Sequence, residues 1–121
     1  MSSPTQRSLK VMRERGYLTE VVERWIPGAN IRKDLFGFID ILAIAPLSTV
    51  EGDLVVAVQS TSGSNVAARI KKITEHENLA AVRKAGIRIL VHGWTKRRKR
   101  LKSGKLAKRA MEWQLREVDV S

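Results

Sequence analysis

Three polar side chains stand where two apolar runs meet water. Asp40 precedes ILAI (residues 41–44) at the end of GFID, and Gln59 and Thr61 close LVVAVQSTS (residues 54–62). Both runs read as buried strands, where a carboxylate, an amide and a hydroxyl are costly to desolvate without partners. Gln59 and Thr61 are two apart, so they share one strand face. A short turn joins the runs, which makes antiparallel pairing the simplest arrangement. If Asp40 faces that pair, the three line a polar pocket at one end of the sheet. A carboxylate beside an amide oxygen is a hard-oxygen set suited to magnesium, which keeps several waters. Metal-bound water attacks phosphate more readily, and the ion screens the charge that develops. Asp34, on the segment leading to Asp40, is a candidate for a further carboxylate.

Each residue also has a plainer reading. Asp34 follows Arg32 and Lys33 and suits a surface ion pair of little worth. Gln59 and Thr61 suit a solvent-facing strand end. Asp40 is harder to dismiss, because Asp is depleted in strands and an apolar run follows directly. His76 and His92 have no Cys or second His at metal-binding spacing and are read as packed or solvent-facing. Trp25, Trp94 and Trp113 all fall in expected strands, where packing is the favoured role.

Charge supplies the second signal. The chain has 121 residues, 43% of them hydrophobic, and a formal net charge of +11. Nine basic residues fall between Lys96 and Arg109 with no acid among them: Lys96, Arg97, Arg98, Lys99, Arg100, Lys102, Lys105, Lys108 and Arg109. The other fourteen Lys and Arg nearly balance the twelve Asp and Glu. Basicity concentrated in one segment points to a polyanion, with nucleic acid first. The segment lacks the Trp, Phe and Leu face that an interfacial membrane helix needs. Length fits a single domain. Without cysteine there are neither disulfides nor thiolate-bound zinc, which suits a reducing cytoplasm. The opening MSSPTQRSLK has no apolar signal-like stretch, and no run is long enough to span a bilayer, so no membrane role is expected.

The elements that must hold these groups follow from punctuation and periodicity. Pro4-Thr5 opens a helix carrying Leu9 and Met12, with Gly16 beyond its end. TEVVERWIP reads as one strand ended by Pro27-Gly28, and residues 30–46 as a second, with Gly37 marking a bulge or close backbone approach. Glu51-Gly52-Asp53 forms a turn tip, and residues 53–62 a third strand buried on both faces. A helix follows with Val66, Ile70 and Ile73 inward, breaking at a Thr74–Glu77 capping box and resuming to Gly86. IRILVHGW is a fourth strand, and MEWQLREVDV alternates as a fifth. Residues 88–120 are thus expected to form a hairpin whose tip is a basic loop around Ser103-Gly104.

This order, αβββαβ plus one strand, resembles the core of the PD-(D/E)XK nuclease superfamily, particularly its Holliday junction resolvase-like and phage-encoded members. GFID-ILAI looks like the motif in which Asp opens the second core strand, with Ile39 in the place of proline. The family's E-x-K then falls on Gln59-Ser60-Thr61. The resemblance covers about residues 6–95, with the basic hairpin of residues 88–120 added to it. It implies an α/β fold with a mixed sheet flanked by helices, forming one nuclease-like domain over 1–121. It also implies a metal-dependent deoxyribonuclease that hydrolyses phosphodiester bonds in duplex or branched DNA. Asp40 and Gln59 would hold Mg2+ (Mn2+ substituting), with Asp34 assisting and Thr61 or a lysine orienting water. Thr61 stands where the family has lysine, so Lys72 or Lys71 on the next helix, or Lys33, would replace it. No acid of the first helix is well placed, since Glu14 lies at its far end; Glu20 and Glu23 are weaker candidates. A homodimer in the cytoplasm, the host's for a phage protein, completes the expectation. The alternative is a weak or inactive nuclease-fold protein that only binds DNA, and a third reading is an RNA- or ribosome-binding basic protein.

Overall fold

Ser3 and Pro4 start the first helix as a cap and first-turn pair should. The Ser3 hydroxyl accepts the Gln6 N–H, and Pro4 occupies a position where no N–H is needed, opening α1 (Pro4–Glu14). Gly16 follows at φ +91°, the left-handed conformation that ends a helix without a Cβ penalty. In this computed structural model, residues 3–49 and 54–121 are described, so the expected turn tip Glu51-Gly52-Asp53 lies outside them.

Five strands make one mixed sheet. In chain order they are β1 (Leu18–Val21), β4 (Ile41–Ile44), β5 (Val55–Ser62), β6 (Arg88–Arg100) and β7 (Leu106–Asp119), and they lie side by side in that order. Only β5 and β6 run parallel; the other three pairings are antiparallel. The parallel step needs a crossover, supplied by a 3-10 turn (Gly63–Asn65), α2 (Val66–Thr74) and α3 (Leu79–Lys84). The α/β class and the mixed sheet flanked by helices stand as expected.

Side-chain alternation sorts the core into two layers. Val56, Val58, Ile41, Ala43 and Leu90 pack against Leu9 and Met12 of α1. Ala57, Ile89 and Val91 face the other way, onto Val66 and Ile73 of α2 and Leu79 and Val82 of α3. Strand β5 is buried on both faces because a helix covers each. At Gly93, an added Cβ would strike Val66 and the Gly63 backbone, so glycine there lets the crossover lie close to β6.

Five expectations need correction. The single strand over 19–27 is broken: after Val22 donates to the Asp40 carbonyl, the chain leaves the sheet. Residues Arg24–Ile26 (β2) pair instead with Ile31–Lys33 (β3) as a separate hairpin, because Pro27–Asn30 turns the chain back on itself. The long second strand is interrupted for the same reason, and by a turn at Asp34–Phe38 with Phe36 and Gly37 at positive φ. Gly37 does make room for a neighbour, but it is the His76 ring rather than a backbone. The helix breaks after Thr74, yet no capping box forms; the Thr74 hydroxyl donates to the Lys71 carbonyl and Asn78 stands at the start of α3. Finally, most of the basic run is strand. Only Leu101–Lys105 forms the tip, because cross-strand pairing holds as far as Arg100↔Leu106 despite the charge.

Candidate active site and nucleic-acid surface

The pairing of β4 with β5 decides where the polar residues go. Ile41 opposes Val58, so the residue before, Asp40, opposes Gln59 on the face away from α1. Asp40 joins the same ladder, its N–H donating to the Val58 carbonyl at 3.0 Å. Gln59 Nε2 donates to Asp40 Oδ2 at 2.7 Å, and the Ser60 N–H donates to the same oxygen at 2.8 Å. Asp40, Gln59 and Thr61 are 4, 2 and 5% exposed. All three line one cleft of about 540 Å³ that also receives Asp34 and Lys72. Asp34, Asp40, Gln59, Thr61 and Lys72 therefore line one cleft.

Two carboxylates join Asp40. Oxygen atoms of Glu23, Asp34 and Asp40 lie within 4.8 Å of one another. Glu23 was the weaker candidate on a straight first strand; leaving the sheet after Val22 brings it in. Glu20 stays on exposed β1, and Glu14 pairs with Lys10 on α1. Of the replacement cations, Lys72 lies 3.6 Å from Asp34, whereas Lys71 and Lys33 are outside the cleft. Arg32 reaches Glu23 at 3.4 Å, and Arg69 lines the wall.

The electrostatics match this crowding. Burial, then hydrogen bonding with Asp34, and the charges of Asp34 and Glu23 push the Asp40 carboxyl up to about 7, against the opposing pull of the Ser60 N–H. Two donors occupy Asp40 Oδ2, which leaves Oδ1 for another partner. Gln59 Oε1 is buried and accepts no hydrogen bond among the described residues. The three carboxylates are the residues that could hold a hard divalent cation, which takes oxygen ligands.

Behind the cleft, on the α1 face, a polar chain is fully paired. Burial holds His92 neutral, lowering its pKa despite the nearby Glu117 carboxylate. Its Nε2–H therefore donates to Glu117 Oε2 at 2.8 Å, leaving Nδ1 to accept the Ser8 hydroxyl at 2.9 Å. Ser8 Oγ in turn accepts from Trp94 Nε1 and from the Ser60 hydroxyl. Glu117 also accepts from Arg15 at 2.7 Å. His92 is thus a packed, hydrogen-bonded residue, and His76 packs edge-on to Phe38.

The basic hairpin presents two different faces. Lys96 and Arg98 lie opposite Trp113 and Met111 on the α1 side, where the Arg7 guanidinium stacks 3.4 Å from the Trp113 ring centroid. Thr95, Arg97, Gln114 and Arg116 line a groove that continues past Gly63 and Ser64 on the cleft side. Arg116 was missed in the sequence because it falls after the basic run, on a strand with mixed charge. Of the tryptophans only Trp94 is buried. Trp25 and Trp113 are 53 and 43% exposed, because β2–β3 and the outer hairpin have no layer above them. No helix among the described residues is long and apolar enough to cross a membrane. Comparison with protein families, curated proteins and solved structures finds no match to this chain.

Proposed function

We propose that this chain is a magnesium-dependent DNA endonuclease of the PD-(D/E)XK kind, hydrolysing phosphodiester bonds in duplex or branched DNA. The observation that supports the reading is the meeting of the Glu23, Asp34 and Asp40 carboxylates in one cleft that Gln59 also lines. Asp40 Oδ1, Gln59 Oε1 and the Asp34 carboxylate are the groups suited to hold the ion. When bound, Mg2+ supplies an activated water and neutralises charge on the phosphate. Gln59 and the Ser60 N–H fix the Asp40 carboxylate in orientation. Lys72, 3.6 Å from Asp34, is the cation we assign to the phosphate in place of the missing motif lysine. The Thr61 hydroxyl adds a donor on the same face. The hairpin's cations, Lys96 to Arg109, attract the DNA backbone, giving binding that weakens steeply with salt. Two copies of the chain as a homodimer would place one site on each strand.

One observation favours the alternative of a DNA-binding protein with little catalysis: Lys72 is engaged by Asp34, and Thr61 carries no charge. Incubation with supercoiled plasmid and with a four-way junction, with and without Mg2+, separates the readings. The endonuclease cuts only with the ion, and Asp40→Asn binds DNA but does not cut. Binding without cutting under Mg2+ or Mn2+ would leave the alternative.

A further inference from the structure

The small β2–β3 hairpin lies beside the cleft and belongs to no other sheet. In its register Trp25 opposes Arg32, so the two side chains share a face. Arg32 lines the acidic cleft and reaches Glu23, so its cross-strand partner Trp25 stands beside the cleft without lining it. Of the two remaining cross-strand pairs, Ile26 opposes Ile31, and Arg24 opposes Lys33 and lines with it the neighbouring hollow beside Phe36. Trp25 is half exposed, while the other two indoles are engaged: Trp94 donates its N–H to Ser8, and Trp113 lies beneath Arg7.

We propose that Trp25, flanked by Arg32, is a stacking platform for an unpaired nucleobase at the mouth of the cleft. The preferred substrate is then DNA with single-stranded or unpaired bases beside the cut, such as a flap or gap. This inference rests on the endonuclease reading and narrows its substrate class. The physical reason is geometric. In a continuous duplex both faces of each base are covered by neighbours, so an indole finds a free π-face only where pairing is interrupted. The neighbouring Arg24 and Lys33 supply the positive field a nucleic-acid strand requires, while Arg32 offsets the charge of Glu23. An apolar peptide gains nothing from these three cations.

Stacking and ion pairing are separable, because stacking releases no counterions. Fluorescence anisotropy of a labelled gapped duplex and its fully paired counterpart, in Ca2+ at several salt concentrations, reads both quantities without cleavage. Trp25→Ala should weaken gapped-DNA binding about 5- to 150-fold, the range for loss of one stacked base. It should leave paired-duplex binding and the salt slope unchanged, and Trp25→Phe should recover most of the loss. Equal binding of gapped DNA by wild type and Trp25→Ala would overturn the platform while leaving the endonuclease standing. No DNA binding by the wild type would overturn both. Self-association lost in Trp25→Ala, with gapped-DNA binding intact, would make this face a contact between copies and also overturn the proposal.

Discussion

Asp40 carries opposing demands. Its carboxylate is buried beside two others, yet it must be ionised to hold a cation, and its raised pKa records that cost. Asparagine would keep the hydrogen bonds from Gln59 and Ser60 and could donate to Asp34. Asp40→Asn should therefore melt at a higher temperature than wild type at neutral pH without divalent ions, by about 1–3 kcal/mol, as functional sites give up stability for charge. Its Mg2+-dependent cleavage should fall by at least about a hundredfold, since even outer-shell partners of a metal ligand are worth 10- to 100-fold. Gln59→Glu is the converse test. A fourth carboxylate should lower the melting temperature in EDTA and enlarge the stabilisation given by Mg2+. Parity made Asp40, Gln59 and Thr61 legible in the sequence, because the two-residue period survives whatever the rest of the fold does. Glu23 was hard to read because its position depends on where the chain leaves the sheet, which no local pattern states.

At the scale of elements, α1, the crossover and β6 are tied together by buried contacts with definite consequences. His92 is held neutral by burial, so it binds a proton more readily in the unfolded chain. Its contribution is fully present above its ordinary pKa of about 6.5 and is lost as pH falls, at up to about 1.4 kcal/mol per pH unit. Glu117 adds to this lower down. Burial alone would raise its pKa, but Arg15 and His92 together hold it below the ordinary value, so its share goes as pH falls below about 4.5. Asp40 works in the opposite sense, costing stability as pH rises toward 7. Urea melts of wild type and His92→Gln across pH 4–8 should differ in slope below pH 6.5, the variant losing the acid sensitivity that His92 contributes. Gly93→Ala, which drives a Cβ into Val66 and the Gly63 backbone, should cost about 1–3 kcal/mol by the same melts. The ends of α1 and the double burial of β5 were readable, since caps and apolar runs are local. The β2–β3 hairpin and the strand character of the basic run were not. There cross-strand partners override weak strand propensity.

For the whole molecule, charge is placed as well as counted. Nine cations follow one another in sequence, but alternation along β6 sends Lys96 and Arg98 to the α1 side and Arg97 to the cleft side, where Arg116 joins it. Removing two charges from either face lowers net charge equally. Arg97→Ala/Arg116→Ala should nevertheless weaken DNA binding more than Lys96→Ala/Arg98→Ala, and reduce the slope of log K against log salt by up to about 0.9 per lost phosphate contact. Equal losses would mean a diffuse field with no track to the cleft. The proposed hydrolysis requires a divalent ion seated among Asp34, Asp40 and Gln59. A Mn2+ soak of crystals, read by anomalous difference density, addresses it directly. A peak within coordination distance of Asp40 Oδ1 and Gln59 Oε1 is predicted, absent in Asp40→Asn crystals. A cleft without density, while Mn2+ binds elsewhere on the same molecule, would contradict it.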